Sequence, residues 1–427
     1  MIDRRINPDF KTIDDVKLLE PAKEVFENGM ELFVFNAGEQ ELVRIEWIFN
    51  NINIDERKRA LLNVALAGMF LEGTEKHSSA EIAEKADFYG AFLQPEYSFD
   101  HIGLTLYVLN KHVEKLLLLV KEILTESIFP IQELETYIRN NKQSLSVSLE
   151  KNDFVARRTF NKAIFGNNRY GFSPEPADYD SLNQQDLLTL YANQICAANC
   201  TMFVSGKVLP STLQVIKNIF GQEWDRGSIV ENAIEQPYSS SDTLILIEKP
   251  GALQSAIRIG NRTINRKHPD FSSLQLVNTI LGGYFGSRLM SNIREDKGYT
   301  YGIGSGIASL KHGAFFTIAT EVGVNVTSNT LNEIEFEINR LKNETVSLEE
   351  LKLVKNYMVG SFLGSLENVF SHVDKFKNTH FVGLDLDYYR NHIQFIKEST
   401  PEDVLATANK YLDYEKMIKV VVGKMEN

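Results

Sequence analysis

The stretch from Gly282 to Gly306 reads GGYFGSRLMSNIREDKGYTYGIGSG. A glycine pair opens it, a short amphipathic helix follows, and a glycine stop leads into an aromatic strand. Leu289, Met290 and Ile293 fall at helical spacing and predict one apolar face. Asp296-Lys297-Gly298 reads as a helix end, with Gly298 in the left-handed conformation that stops a helix. Tyr299, Tyr301 and Ile303 then recur at every second position, as in a strand. Arg294 stands on the last helical turn and Tyr301 at the strand's opening. A guanidinium and a phenol held at one helix-to-strand corner could both point at a peptide carbonyl. The glycines superficially suggest a phosphate loop, but no lysine follows in the G-x-x-x-x-G-K pattern. Tight turns and close backbone approach account for them better.

Outward from this corner the chain repeats itself. The second half runs TLILIEKPG and AIRIGNRT as strands, then a helix from Asp270 to Leu281 and the helix ending at Arg294. The strands GYTYGIGSGIAS and GAFFTIATEV follow, then a helix from Val326 to Lys342 and SLEELKLVKNYMVGSFLGSL. The first half has the same order. Two strand-like runs occupy Glu31 to Asn50, and helices span Glu56 to Phe70 and Ser78 to Tyr89. Ser78 and Glu81 form a capping box at the start of the second helix. Two strands lie within Ala91 to Leu109, a helix spans His112 to Ser127, and PIQELETYIRNNKQSLSVSL matches the last segment. One duplication of an α+β unit explains this order. It predicts two homologous domains, each an antiparallel sheet with helices packed on one face. The polar, aperiodic stretch 224–242 reads as the linker between domains at 1–223 and 243–427.

The chain has 427 residues, 43% of them hydrophobic and 24% charged, as in an ordinary globular protein. A net charge of -12 disfavours wholesale binding to nucleic acid or to an anionic membrane. No apolar run is long enough to span a bilayer. The opening MIDRRINPDF lacks an apolar signal core, so the expected site of action is the cytoplasm, or the periplasm if a leader is removed. Cys196 and Cys200, the two cysteines, are spaced to share a helical face, yet two cysteines alone make no zinc site. His77 with Glu81 has i,i+4 spacing and reads as a solvated helix start. Asp100-His101 opens a strand, and no G-x-S-x-G nucleophile motif is present.

The layout and the segment SRLMSNIREDKGYTYGIGS together resemble the insulinase/pitrilysin-like zinc peptidases, and within them the processing-peptidase branch. The resemblance covers roughly residues 25 to 425. It implies that Arg294 and Tyr301 contact substrate, and that the tyrosine helps hold the oxyanion of the tetrahedral intermediate. Catalytic members carry H-x-x-E-H on a first-domain helix, where two histidines bind zinc and the glutamate activates water. Here the matching positions read Val64-Ala65-Leu66-Ala67-Gly68. Val64 and Gly68 replace the histidines, and Ala67 replaces the base. The third ligand, a glutamate on a later helix, would fall near Gln143 or Ser144. None of these side chains except the glutamine and serine is even polar, and none is a carboxylate or imidazole.

The resemblance therefore implies the non-catalytic subunit of a two-chain peptidase. This chain would hold no cofactor. A homologous H-x-x-E-H partner would carry the zinc, forming a heterodimer that acts on peptide substrates, and Arg294 and Tyr301 would reach across to it. Two other readings stay open: a scaffold of the same fold, and an autonomous enzyme with a metal site of another kind.

Overall fold

The computed structural model describes residues 16–52, 57–222, 224–229, 238, 240 and 242–425. Two sheets organise it. The first contains β1 (Ala22–Val25), β2 (Glu31–Asn36), β3 (Leu42–Asn50), β4 (Phe92–Tyr97), β5 (His101–Leu109) and β6 (Cys200–Gly206), in the order β1-β2-β6-β3-β5-β4. The second contains β7 (Leu244–Glu248), β8 (Gln254–Arg262), β9 (Thr300–Ser309), β10 (Ala314–Gly323) and β11 (Ile418–Gly423), in the order β7-β11-β8-β10-β9. Leaving out β1, the two orders correspond strand for strand, which makes β9 the counterpart of β4. Both stand at a sheet edge. The pairings are antiparallel except for β2 with β6 and β11 with β7. Those two parallel pairs arise because the last strand of each half returns through helices rather than a tight turn.

The helices largely follow the sequence reading. They run from Arg57 to Gly68, Ser79 to Phe88, Val113 to Glu126 and Ile131 to Leu149 in the first half. Ser78 caps the second of these, with Glu81 reciprocating onto the Ser78 backbone. Thr327–Asn343 and Leu348–Gly364 are the counterparts of the last two. Further helices lie where the sequence reading assigns none, among them Asn152–Phe165, Pro210–Ile216, Val369–His380, Asp387–Glu398 and Pro401–Tyr411. Cys196 and Cys200 do not share a helical face. Cys196 precedes a single tight turn and Cys200 begins β6, both buried and unbridged, and burial pushes the Cys200 thiol up.

Two of the added helices join the halves. Asn152–Phe165 leaves the first half and lays Ala156, Phe160 and Ile164 against Ala256, Val420 and Val422 of the second sheet. Val369–His380 does the reverse, packing Val369 and Val373 on Phe33, Phe35 and Phe203 of the first. Each sheet thus has its own helices on one face and a helix borrowed from the other half on the opposite face. This is why β6 is buried along its whole length and reads CTMFVSG without alternation. The same contact is laced by charge. Arg44 and Glu46 on β3, almost fully buried, meet Asp374 and Lys377 on the borrowed helix. Burial opposes the Lys377 ammonium, but Glu46 and Asp374 more than offset it, and its pKa lies above the ordinary lysine value.

Residues 230–237, inside the expected linker, lie outside the described residues. Ahead of them Trp224 is buried in the first core and the Arg226 carbonyl accepts from the Ala198 amide at 2.9 Å.

Candidate functional site

The corner at 282–306 is built by close backbone approach. Gly282 ends the helix before it and lies directly on β9; a Cβ there would stand 2.7 Å from the Ser305 nitrogen. Only glycine allows the helix and strand to approach this far. The next helix buries Leu289, Met290 and Ile293, as its spacing predicts. From Met290 to Asp296 its turns are widened to i→i+5, visible in the Lys297 amide donating to the Asn292 carbonyl at 3.0 Å. Gly298 stops it at φ +65°, and the Tyr299 amide closes back on the Ile293 carbonyl at 3.0 Å.

Arg294 leaves the last turn half-buried, with its guanidinium 4.7 Å from the centre of the Phe285 ring. The stacking holds a long flexible side chain in one orientation without consuming its donors. Glu295 stands 3.8 Å away, too far for a strong pair. Phe285 is itself 65% exposed, an unusual cost for a phenylalanine. Nothing in the local sequence marks its role, and the sequence reading missed it.

Tyr301 is 95% exposed. The reason is a break in the ladder: Ile303 faces Thr320 and Thr300 faces Val322, so Tyr301 and Gly302 share the space opposite Glu321. This β-bulge throws Tyr301 outward although Ile303, two residues on, is buried. Two threonines fix it. Thr300 Oγ1 donates to the Glu321 carbonyl at 2.7 Å and accepts from the Gly302 amide at 3.1 Å. Thr320 Oγ1 lies 2.9 Å from Thr300 Oγ1 and 3.0 Å from the Gly302 carbonyl. Arg294 in the last helical turn and Tyr301 at the strand's opening thus flank one corner, the guanidinium resting on Phe285 and the tyrosine exposed.

The first-half positions that the resemblance aligns with H-x-x-E-H do not fit a zinc ion. Val64 is half-buried, Ala67 is buried at 5% and Gly68 ends the helix. Above Gly68 lies the Tyr137 ring: a Cβ on Gly68 would stand 2.4 Å from Tyr137 Cε2. The space through which a ligand at 68 would project is already taken by an aromatic ring whose phenol burial pushes up. Gln143 and Ser144 are exposed on the Ile131–Leu149 helix. Among the described residues no three His, Cys, Asp or Glu side chains converge on a point that could hold a metal.

The other polar residues named from sequence are engaged elsewhere. His77 Nδ1 pairs with Glu122 Oε1 at 2.7 Å, not with Glu81, which serves the capping box. Asp100 meets Arg169 at 3.2 Å and takes the Tyr170 hydroxyl at 2.9 Å. His101 packs 4.2 Å from Phe381 at the join between the halves, and burial lowers its pKa to about 4. His112 packs 5.0 Å from the Tyr89 ring at a tilt of 50°.

Comparison with known proteins follows the same line. Residues 181–358 match the family described as "Peptidase M16 inactive domain". The chain is 24% identical over 312 residues to a Bacillus subtilis protein named "Uncharacterized zinc protease YmxG", covering 73% of this chain and 75% of that protein. The crystal structure of a peptidase M16 inactive domain from Pseudomonas fluorescens superposes with a TM-score of 0.86 at 23% identity, over 96% of this chain and 99% of that one. The periplasmic protease PqqL from Escherichia coli superposes with a TM-score of 0.77 at 15% identity, over 99% of this chain but 48% of that one. These comparisons bear out the resemblance and the duplicated α+β fold.

Proposed function

We propose that this chain, which carries a peptidase M16 inactive domain, is the non-catalytic, substrate-binding subunit of a two-chain zinc peptidase. One observation carries the reading. Tyr301 is turned fully outward by a wired bulge beside a braced Arg294, while the ligand and base positions of the first half hold Val64, Ala67, Gly68 and Ser144. A tyrosine kept only for packing would be buried with a satisfied hydroxyl. The length of the Escherichia coli protease, of which this chain covers 48%, leaves room for a second unit of similar size.

In this reading a homologous partner with H-x-x-E-H supplies zinc, which polarises the scissile carbonyl and activates water. This chain contributes only donors. The Arg294 guanidinium holds a substrate carbonyl near the cut. The Tyr301 hydroxyl donates to the oxygen on which negative charge develops, and loses little by reorganisation because the bulge fixes its backbone. The peptide lies extended as an added strand on the partner's sheet edge. A cytoplasmic site of action belongs to the same proposal.

The test is reconstitution. The chain alone is expected to hold no stoichiometric zinc and to cleave no peptide. Mixed with an H-x-x-E-H chain encoded beside it, it should restore cleavage. Tyr301→Phe should then lower kcat by about 10²-fold or more, the usual loss on removing one oxyanion donor. Full activity of the mutant pair, or a partner that works equally well alone, would leave this chain a scaffold.

A further inference from the structure

The two sheets present four edge strands, β1, β4, β7 and β9. Three of them are protected. β4 carries Pro95, which has no amide to offer a neighbouring chain. β1 is four residues long and holds Lys23 and Glu24. β9 is overlaid by the helices before it: the Ile303 amide points at Met290 Sδ, 3.5 Å away, and Gly282 lies against Ser305. Natural sheets use these devices to keep their edges from pairing with other chains. β7 uses none of them. It reads Leu-Ile-Leu-Ile-Glu, with no proline and its one charge at the last position.

The backbone of β7 shows which groups are free. The Thr243 carbonyl accepts from the Lys419 amide, and the Lys249 amide donates to the Gly423 carbonyl, both at 2.8 Å. Backbone groups turn to alternate sides along a strand. Ile245 and Ile247 therefore face β11 as well, while Leu244, Leu246 and Glu248 turn their N–H and C=O groups outward. Among the described residues none of those three backbones has another partner. Leu244 is 49% exposed and Leu246 38%. The first half shows what this position accepts. β2 runs parallel to β6 as β7 does to β11, and its outer edge is filled by β1, antiparallel, with Ala22 opposite Val34 and Val25 opposite Glu31. The second sheet has no such strand among the described residues.

An antiparallel strand that fits β7 is β7 itself. A two-fold axis through Leu246 sets Leu246 against Leu246 of a second copy, Ile245 against Ile247 and Leu244 against Glu248. Outward backbone groups then meet outward backbone groups, and the apolar side chains at the centre cover one another. Charge permits it as well. The whole chain carries a net -12, which opposes self-association, but this stretch is uncharged from Thr243 to Ile247. Glu248 and Lys249 lie at the end of each strand and meet Leu244 and Thr243 of the copy, so no like charges face each other. We infer that this chain pairs with a second copy of itself, edge to edge through β7, joining two five-stranded sheets into one. β7 and β9 stand at opposite edges of the sheet, so the pairing leaves Tyr301 open and is independent of any peptidase partner.

Sedimentation equilibrium of the full chain, with no metal or peptide added, tests it. The mass should rise with concentration from one chain towards two, with a midpoint of roughly tens of micromolar, because one strand pair buries less than a standard interface. Leu246→Lys and Leu246→Glu each set two like charges across the axis. The position is exposed, so both variants should keep the parent melting temperature. Each alone should raise the midpoint at least roughly tenfold. Mixed in equal amounts they should recover pairing to within about threefold of the parent, since opposite charges then face each other. Tyr301→Phe should pair as the parent does, which separates this result from the fate of the subunit reading. Three results would overturn the inference. One is a parent chain that stays single up to about 1 mM, far above the range of a specific contact. Another is pairing undiminished in both Leu246 variants, as for a contact elsewhere on the surface. The third is a mixture that pairs no better than either variant alone, which would mean that the two strands do not meet at Leu246.

Discussion

Gly68 illustrates why a metal-binding side chain cannot be placed at this position by point substitution alone. A Cβ at that position overlaps the Tyr137 ring at 2.4 Å, well inside contact distance. Alanine gains up to about 1 kcal/mol of helix propensity over glycine. Overpacking against a half-buried rigid ring costs about 1 to 3 kcal/mol and opposes it. Gly68→Ala should therefore lower stability in chemical denaturation, whereas in a Tyr137→Leu background the same substitution should become neutral or stabilising. A loss of equal size in both backgrounds would show that Tyr137 is not the obstacle. At the other end of the molecule, Tyr301 was legible as a candidate because its neighbours fall into a motif. Phe285, on which Arg294 rests, was not, because an aromatic in a glycine-rich turn carries no pattern of its own.

At the scale of the element, the bulge in β9 decides which way Tyr301 points. Its lock is a pair of hydroxyls on neighbouring strands, Thr300 and Thr320, closing on Gly302 and Glu321. Thr320 is 7% exposed, so Thr320→Val keeps the shape and removes one hydroxyl. The expected cost is about 1 kcal/mol. Amide exchange at Gly302 should quicken, since its partner Thr300 then keeps only its contact with the Glu321 carbonyl. Unchanged protection at Gly302 would mean the ladder, not the threonines, sets the bulge. Alternation in the sequence located this strand but could not show the bulge, which depends on the register against β10.

At the scale of the molecule, the exchanged helices make the two halves one body. Lys377 reaches from the second half to Glu46, which is 1% exposed in the first sheet. Lys377→Met would leave that carboxylate with only Arg44, at 3.0 Å. Stripping one partner from a buried pair costs about 3 kcal/mol, and denaturant midpoints should fall accordingly. The join also responds to acid. His101 packs on Phe381 with its pKa lowered to about 4, chiefly by burial. Because the unfolded chain takes up this proton near pH 6.5 and the folded one only near 4, its contribution is complete above about pH 6.5 and is lost as the pH falls towards 4. His101→Leu should flatten the fall in melting temperature across that window; an unaltered slope would place the acid sensitivity elsewhere, with the similarly buried His392 the next to test.

What the sequence determined by itself was local or repeated. Glycine at 282 and 298, the apolar stripe 289, 290 and 293, the capping box at Ser78 and the doubled order of strands and helices all rest on neighbours within a few residues, or on a pattern met twice. That Val64, Ala67 and Gly68 offer neither a metal ligand nor a base needed only their identities. The spacing of Ala156, Phe160 and Ile164 was equally present, but what it covers belongs to the sheet of the other half. The exchange of helices, the ring over Gly68 and the outward turn of Tyr301 were decided only by tertiary structure. Each is a relation between residues far apart in the chain, fixed by packing and by which buried polar atoms find a partner, and neither quantity is written in any one segment.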